Sequence, residues 1–245
     1  MKRALLRILH YGRKHYCNVC CAHVRGWIEV GLESQVFNNH IMVGAGRRKR
    51  GCPVCHSTDR DRLMLDFVQD YFKSHPQSKD FSLLHIAPES YLISLLDEGV
   101  KDYFRGDAFA PGYAYDTSKT EAMDIQQLRF EDCTLDWVIA NHVLEHVADD
   151  HRAMQEIFRV LKPGGRAVLQ VPMALDLAET IEARDEKDLE KVTGQYDHRR
   201  LYGLDYLLKL QAMGFQVEEW QSKKDNQKMG FNPNESVIQA IKAKA

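Results

Sequence analysis

Two cysteine pairs are the most chemically pointed feature of the chain. Cys17-x-x-Cys20 and Cys52-Pro53-Val54-Cys55 are C-x-x-C knuckles separated by 31 residues. Each knuckle turns two thiolates onto one point, and two knuckles complete a tetrahedral sulfur site of the kind zinc occupies. Four protein ligands leave no position for water, so the expected zinc is structural and not catalytic. A set of buried free thiols, or one redox dithiol, is the alternative. Cys21 and His56 adjoin the knuckles and are read as neighbours of the ligands. The other residues suited to chemistry are carboxylates and histidines. Asp107 stands 18 residues beyond Glu89, Asn141-His142 ends an apolar run, and His198-Arg199-Arg200-Leu201-Tyr202 is a cluster able to take an anionic or hydroxylated partner.

These residues need elements to position them. The chain has 245 residues with a formal net charge of −2, which excludes a wholly polycationic nucleic-acid binder. That total hides an asymmetry, since residues 1–62 hold 12 basic and 4 acidic side chains and the excess of acid lies beyond them. From residue 81 onwards short apolar runs alternate with helical patterns, which predicts a parallel α/β sheet. The runs are 81–87, 101–106, 135–140, 166–172, 215–220 and 236–241. Helices are predicted over 149–161, before Lys162-Pro163-Gly164-Gly165, and over 204–213; the charged stretch 176–191 reads as a surface helix or lid. The division is a basic N-terminal segment and zinc-binding module over 1–62, a linker helix over 63–80, and an α/β domain over 81–245. In such sheets the site lies beyond the carboxyl ends of the strands, where Asp107 would meet ribose hydroxyls and Asn141 and His142 would open into the crevice.

The segment MDIQQLRFEDCTLDWVIANHVLEHVADDHRAMQEIFRVLKPGGRAVLQVP resembles the second half of a class I S-adenosylmethionine-dependent methyltransferase of the type 11 kind. The features that carry the likeness are Asp124, the segment Asn141–His146 and the run Arg159–Gly165. A narrower bacterial group is similar in having an N-terminal CPxC module, an "RxR" (Arg60-Asp61-Arg62) and a later "GQ-DH-R-YG" from Gly194 to Gly203. The resemblance implies a doubly wound, seven-stranded, mostly parallel Rossmann-like sheet with a small zinc-ribbon-like module. It also implies S-adenosylmethionine as cofactor, with Asp124 and Ile125 flanking the adenine. The chain departs from the larger family at the loop after the first strand, which reads Leu84-His85-Ile86-Ala87-Pro88-Glu89-Ser90 and has no glycine. The narrower group shares LHxAPE there, so His85, Ala87, Pro88 and Glu89 are expected at the cofactor, with Glu89 anchoring its amino group or ribose.

Methyl transfer from a sulfonium is an in-line displacement that asks the protein to align and to exclude water. His142, His198 and Tyr202 are the expected acceptor-side residues, a histidine serving as base where the acceptor is a hydroxyl or amine. The acceptor is a small molecule, a glycan or RNA. The rival reading is a non-catalytic cofactor-binding adaptor whose zinc module docks RNA or a protein. A nicotinamide oxidoreductase is disfavoured by the absence of G-x-G-x-x-G over 81–91. Leu5, Leu6, Ile8 and Leu9 among Lys2, Arg3, Arg7 and Arg13 could also lie on an anionic membrane surface. No run is long enough for a membrane span, and Arg7 and His10 break the apolar stretch a signal peptide needs, so a cytoplasmic location is expected.

Overall fold

A computed structural model describes residues 2–110 and 119–244. Seven strands make the central sheet: β1 (Ser82–Ile86), β2 (Asp102–Asp107), β3 (Glu121–Ala122), β4 (Leu135–Ala140), β5 (Leu161–Val168), β6 (Phe215–Trp220) and β7 (Val237–Lys242). Their lateral order is β6-β7-β5-β4-β1-β2-β3, and only β7 runs antiparallel to its neighbours. The order reverses between β1 and β4, so the crevice at their carboxyl ends is where a sheet of this kind binds a nucleotide.

Successive side chains of a strand face opposite sides of the sheet, and the apolar sequence of the inner strands fills both. Leu84, Ile86, Val138 and Ala140 pack in one core with Ala153, Met154, Ile157 and Val160 of helix α4 (Asp150–Val160) and with Leu210 of α5 (Asp205–Ala212). Leu83, Trp137, Ile139 and Val168 pack in the other with Leu63, Met64, Phe67, Val68 and Tyr71 of α2 (Asp59–Ser74) and with Leu92 and Leu96 of α3 (Ser90–Gly99). The helix expected as a linker over 63–80 therefore runs from Asp59 to Ser74 and is a layer of the fold. Its start is set by a capping box: the Asp61 amide donates to Thr58 Oγ1, and the Thr58 amide donates to Asp61 Oδ2 at 2.8 Å. Two other elements differ from the sequence pattern. Pro163-Gly164-Gly165 lies within β5 as an irregularity in its pairing with β4, and 176–191 contributes Ile181–Glu182, which pairs with Arg200–Leu201, and a short helix Leu189–Thr193.

The cysteine-bearing module is built from two antiparallel ribbons, Tyr11–Cys17 with Ala22–Val24 and Ile28–Val30 with Arg48–Gly51. It is tied to the sheet domain by pairing of Met42–Val43 with Met173–Ala174, and above all by Arg62. This wholly buried guanidinium donates to the carbonyls of Ser57 and Arg50 on one side and of Met229 and Gly230 on the other, at 2.7–3.1 Å, and stacks 4.1 Å from the Trp27 ring. Removing it would leave those buried carbonyls bare at ~1–3 kcal/mol each. Arg62→Met is accordingly expected to lower unfolding free energy by about 3 kcal/mol or more. Chemical denaturation measures this, and a loss under about 1 kcal/mol, the ordinary size for a single substitution, would contradict the role.

Candidate functional site

Each knuckle closes with a residue in the left-handed region, Cys21 at φ 53° and His56 at φ 63°. The four thiols converge: Sγ of Cys17 lies 3.7 Å from that of Cys55, Sγ of Cys20 lies 3.7 Å from that of Cys52, and all four fall within 4.8 Å of one another. Zinc–sulfur bonds of about 2.3 Å in a regular tetrahedron put sulfurs ~3.8 Å apart, so the donor set fits that ion. Ser57 Oγ sits 3.2 Å from Sγ of both Cys17 and Cys55, and the Val54 amide points to Cys52 Sγ at 3.4 Å. Thiolates are stabilised by such donors.

A cleft of about 1070 Å³ opens at the carboxyl ends of β1, β2 and β4. Of the residues expected at a cofactor, Ala87, Asp107, Asp124 and Ile125 line it, together with His142, Met123, Val143 and Val147. Asp107 is only 6% exposed at the end of β2, and its Oδ1 accepts the Phe109 amide at 2.7 Å. Burial raises its pKa above the ordinary carboxylate range, against the opposing pull of that hydrogen bond. Asp124 forms a local turn, its Oδ1 accepting the Gln126 amide at 2.8 Å, which sets Ile125 against the core. Apolar side chains line the cleft together with two carboxylates, Asp107 buried and Asp124 exposed.

The glycine-free loop solves its turn in another way. Ala87 takes φ 51°, a left-handed conformation, while its amide bonds the Gly106 carbonyl at 2.9 Å. Alanine bears a cost of about 1–2 kcal/mol there that a β-branched residue would raise further. Ala87→Gly is expected to keep cofactor affinity within about threefold, and Ala87→Val to lose most of it, since a strained loop of order 1–3 kcal/mol must shift. Calorimetry on both variants decides, and equal affinity for the two would contradict it.

His85, Pro88, Glu89 and Asn141 are not among the residues lining that cleft. His85 shares the face of Leu83 by strand alternation and is fully buried, its Nδ1 accepting the Tyr103 hydroxyl at 2.9 Å and its Nε2 donating to Glu89 Oε2 at 2.5 Å. The other Glu89 oxygen accepts Asn141 Nδ2 at 2.9 Å. Glu89 is therefore engaged at both oxygens and clamps the loop to β1 and β4, where the sequence suggested a free anchor for cofactor. Glu89 and Asn141 line a separate cavity of about 110 Å³ with Arg60, His142 and Glu235.

On the acceptor side the ends of β4 and of the 195–202 segment do meet. The Arg199 amide donates to the Glu145 carbonyl at 2.7 Å, and Arg200, nearly fully buried, donates to the carbonyls of Leu144, Val147 and Ala148 at 2.6–3.2 Å. His146 and His198 stack edge to face with centroids 4.7 Å apart. His142, at φ 54°, lines the large cleft and also a second cavity of about 250 Å³. That second cavity is walled by Gly31, Gly44, Arg48 and Arg60 from the module side and by His142, Glu145, His146 and His198 from the sheet domain. Burial and the nearby Arg60 charge push His142 well below the usual histidine range, and burial beside His146 lowers His198 to about 3. Both rings are neutral at physiological pH.

Tyr202 does not join them. It is completely buried, packs against Tyr206 at 4.6 Å and donates its hydroxyl to Asp150 at 2.8 Å, so the expectation that it faces the acceptor is corrected. Leu201 beside it is equally buried because Arg200–Leu201 is a strand, a pairing the polar HRRLYG sequence does not announce. Glu145 and Arg60 are the site residues the sequence reading left unassigned.

Known proteins share these features in part. Residues 96–169 match the methyltransferase domain family. The chain is 31% identical over 103 residues to the sterol 4-C-methyltransferase strm-1 of Caenorhabditis elegans, a match covering 42% of this chain and 27% of that protein. It is 44% identical over 54 residues to an uncharacterised transposon protein of Streptomyces fradiae, covering 22% of this chain and 16% of the other. The chain thus spans well under a third of the length of either relative. Among solved structures, the YcgJ protein of Bacillus subtilis aligns over 73% of this chain and 98% of its own, at 17% identity and a TM-score of 0.48. Among the described residues, no helix is long and apolar enough to cross a membrane.

Proposed function

We propose that the chain is an S-adenosylmethionine-dependent methyltransferase whose N-terminal module is held together by zinc at Cys17, Cys20, Cys52 and Cys55. The observation that carries the reading is the cleft at the reversal of strand order, lined by Asp107 and Asp124, in a chain whose residues 96–169 match a methyltransferase domain. Asp107 would hold the ribose hydroxyls, Ile125 and Asp124 the adenine, and the Ala87 loop the amino-acid end. The cofactor supplies an electrophilic methyl group, and the protein's part is alignment and exclusion of water.

The acceptor enters from the cavity between module and sheet domain, which is joined to the cofactor cleft at His142 and His146. Arg60 on its wall favours an anionic or hydroxylated acceptor, whether a small molecule, a glycan or RNA, while Arg48 is already paired with Asp59. His142 would take the proton of a hydroxyl or amine, with His198, on the same sheet-domain side of the cavity, helping to place the acceptor. The exposed Leu5, Ile8 and Leu9 on α1 (Lys2–Leu9), with Arg3 and Arg7 on the same helix, would serve a larger anionic partner.

Calorimetric titration with S-adenosylhomocysteine tests the reading: one site is expected, and no heat at millimolar ligand would favour a non-catalytic adaptor. With an acceptor in hand, His142→Gln is expected to lower turnover by ~10²–10⁴ while cofactor affinity changes little. Turnover unchanged in that variant would remove the base.

A further inference from the structure

We propose that Glu145, His146 and His198 form a second metal site, taking a divalent first-row transition ion beside the acceptor cavity. One ligand atom from each of the three lies within 4.8 Å of the others. They come from two segments about fifty residues apart, locked together by the Arg199 amide and by the three carbonyls Arg200 holds. The cluster is thus fixed by backbone bonds and does not depend on its own side-chain contacts.

Two of its members, Glu145 and His198, carry buried polar atoms without a hydrogen-bond partner among the described residues. Glu145 is 1% exposed, and neither carboxylate oxygen has a hydrogen bond from another residue; His198 Nδ1 is buried and equally without one. A buried group left bare costs about 1–3 kcal/mol, so an uncompensated pair at one point calls for something to fill it. His146 is already oriented as a ligand. Its Nδ1–H donates to the Asp197 carbonyl at 3.1 Å, with the Asp197 carboxylate 3.4 Å away, which turns Nε2 towards Glu145 at 4.0 Å. A second hydrogen bond that fixes the ring is the usual support of a ligating histidine. His142 Nδ1 lies 3.3 Å from Glu145 but stands outside the three-residue cluster.

Two imidazoles and one carboxylate are a borderline set that leaves coordination positions open, unlike the closed four-cysteine site. The open side faces the 250 Å³ cavity, whose wall also carries Arg48 and Arg60. An ion there with the Arg60 guanidinium on the wall of the same cavity would grip an anionic oxygen of the acceptor. That last role rests on the methyltransferase reading; the binding of the ion does not.

Cobalt(II) titrated into zinc-loaded protein provides the test, followed by calorimetry and visible absorption. One equivalent beyond the four-cysteine zinc is expected, with weak ligand-field bands and no thiolate charge transfer. His198→Ala and His146→Ala should each weaken it at least tenfold, with circular dichroism confirming the fold of each variant. His146 is partly exposed, so its loss spares the core even where His198→Ala fails to fold. No second equivalent, or one that both histidine variants retain unchanged, would overturn the site and leave Glu145 and His142 as a proton-sharing pair. S-adenosylhomocysteine binding, measured on the same samples, separates either result from a failure of the methyltransferase reading.

Discussion

Asp107→Ala is expected to weaken S-adenosylhomocysteine binding by about 10- to 150-fold, the value of a charge-assisted hydrogen bond of ~1.5–3 kcal/mol. The carboxylate is nearly buried at the end of β2, is oriented by the Phe109 amide and lines the 1070 Å³ cleft. Burial raises its pKa, so the carboxylate is protonated at a higher pH than an ordinary aspartate, and binding should fall away on acidification before unfolding does. Asp124 makes the same kind of local turn but is exposed where Asp107 is buried, so Asp124→Ala should cost less. Calorimetry on the two variants checks the order; an Asp107→Ala protein that binds as wild type would contradict the placement of the ribose.

Cys52→Ser is expected to abolish the tightly held zinc and to melt the module. Structural zinc contributes folding free energy directly, and a chain of this size loses roughly 2–4 °C of melting temperature per kcal/mol, so a fall on the order of 10 °C is expected. The loss should spread beyond the knuckles, because Cys52 lies two residues from Arg50, whose carbonyl accepts from Arg62, and Arg62 binds the module to Met229 and Gly230. Metal analysis with a thermal scan reads both effects. A wild-type protein that is folded and free of zinc would contradict the assignment.

What the sequence disclosed was local. The C-x-x-C knuckles carry their geometry in their spacing, and the apolar runs placed six of the seven strands to within a few residues. The seventh, Glu121–Ala122, is two residues long and exposed, too short for any period to register. The helix start at Asp59 was readable only through Thr58 and Asp61, a signal the pattern of apolar residues outweighed. The site was less legible because its contacts are long-range. Glu89 meets Asn141 52 residues away, and Tyr202 meets Asp150 at the same separation. No spacing rule reaches that far, so Glu89 and Tyr202 were read by residue type as ligand groups, whereas tertiary packing had engaged both. Ala87 was legible as an absence of glycine but not as a strained left-handed residue, since φ is set by the Gly106 contact as well as by the loop.

A crystal structure of the protein with S-adenosylhomocysteine tests the central claim most directly. The expected result is adenine against Ile125, ribose hydroxyls within about 3 Å of Asp107, hydrogen-bonding reach, and the sulfur turned towards His142 and the cavity shared with His198. Ligand bound outside the cleft between Ala87, Asp107 and Asp124, or a cleft that stays closed to it at saturating concentration, would contradict the claim that this sheet binds the methyl donor.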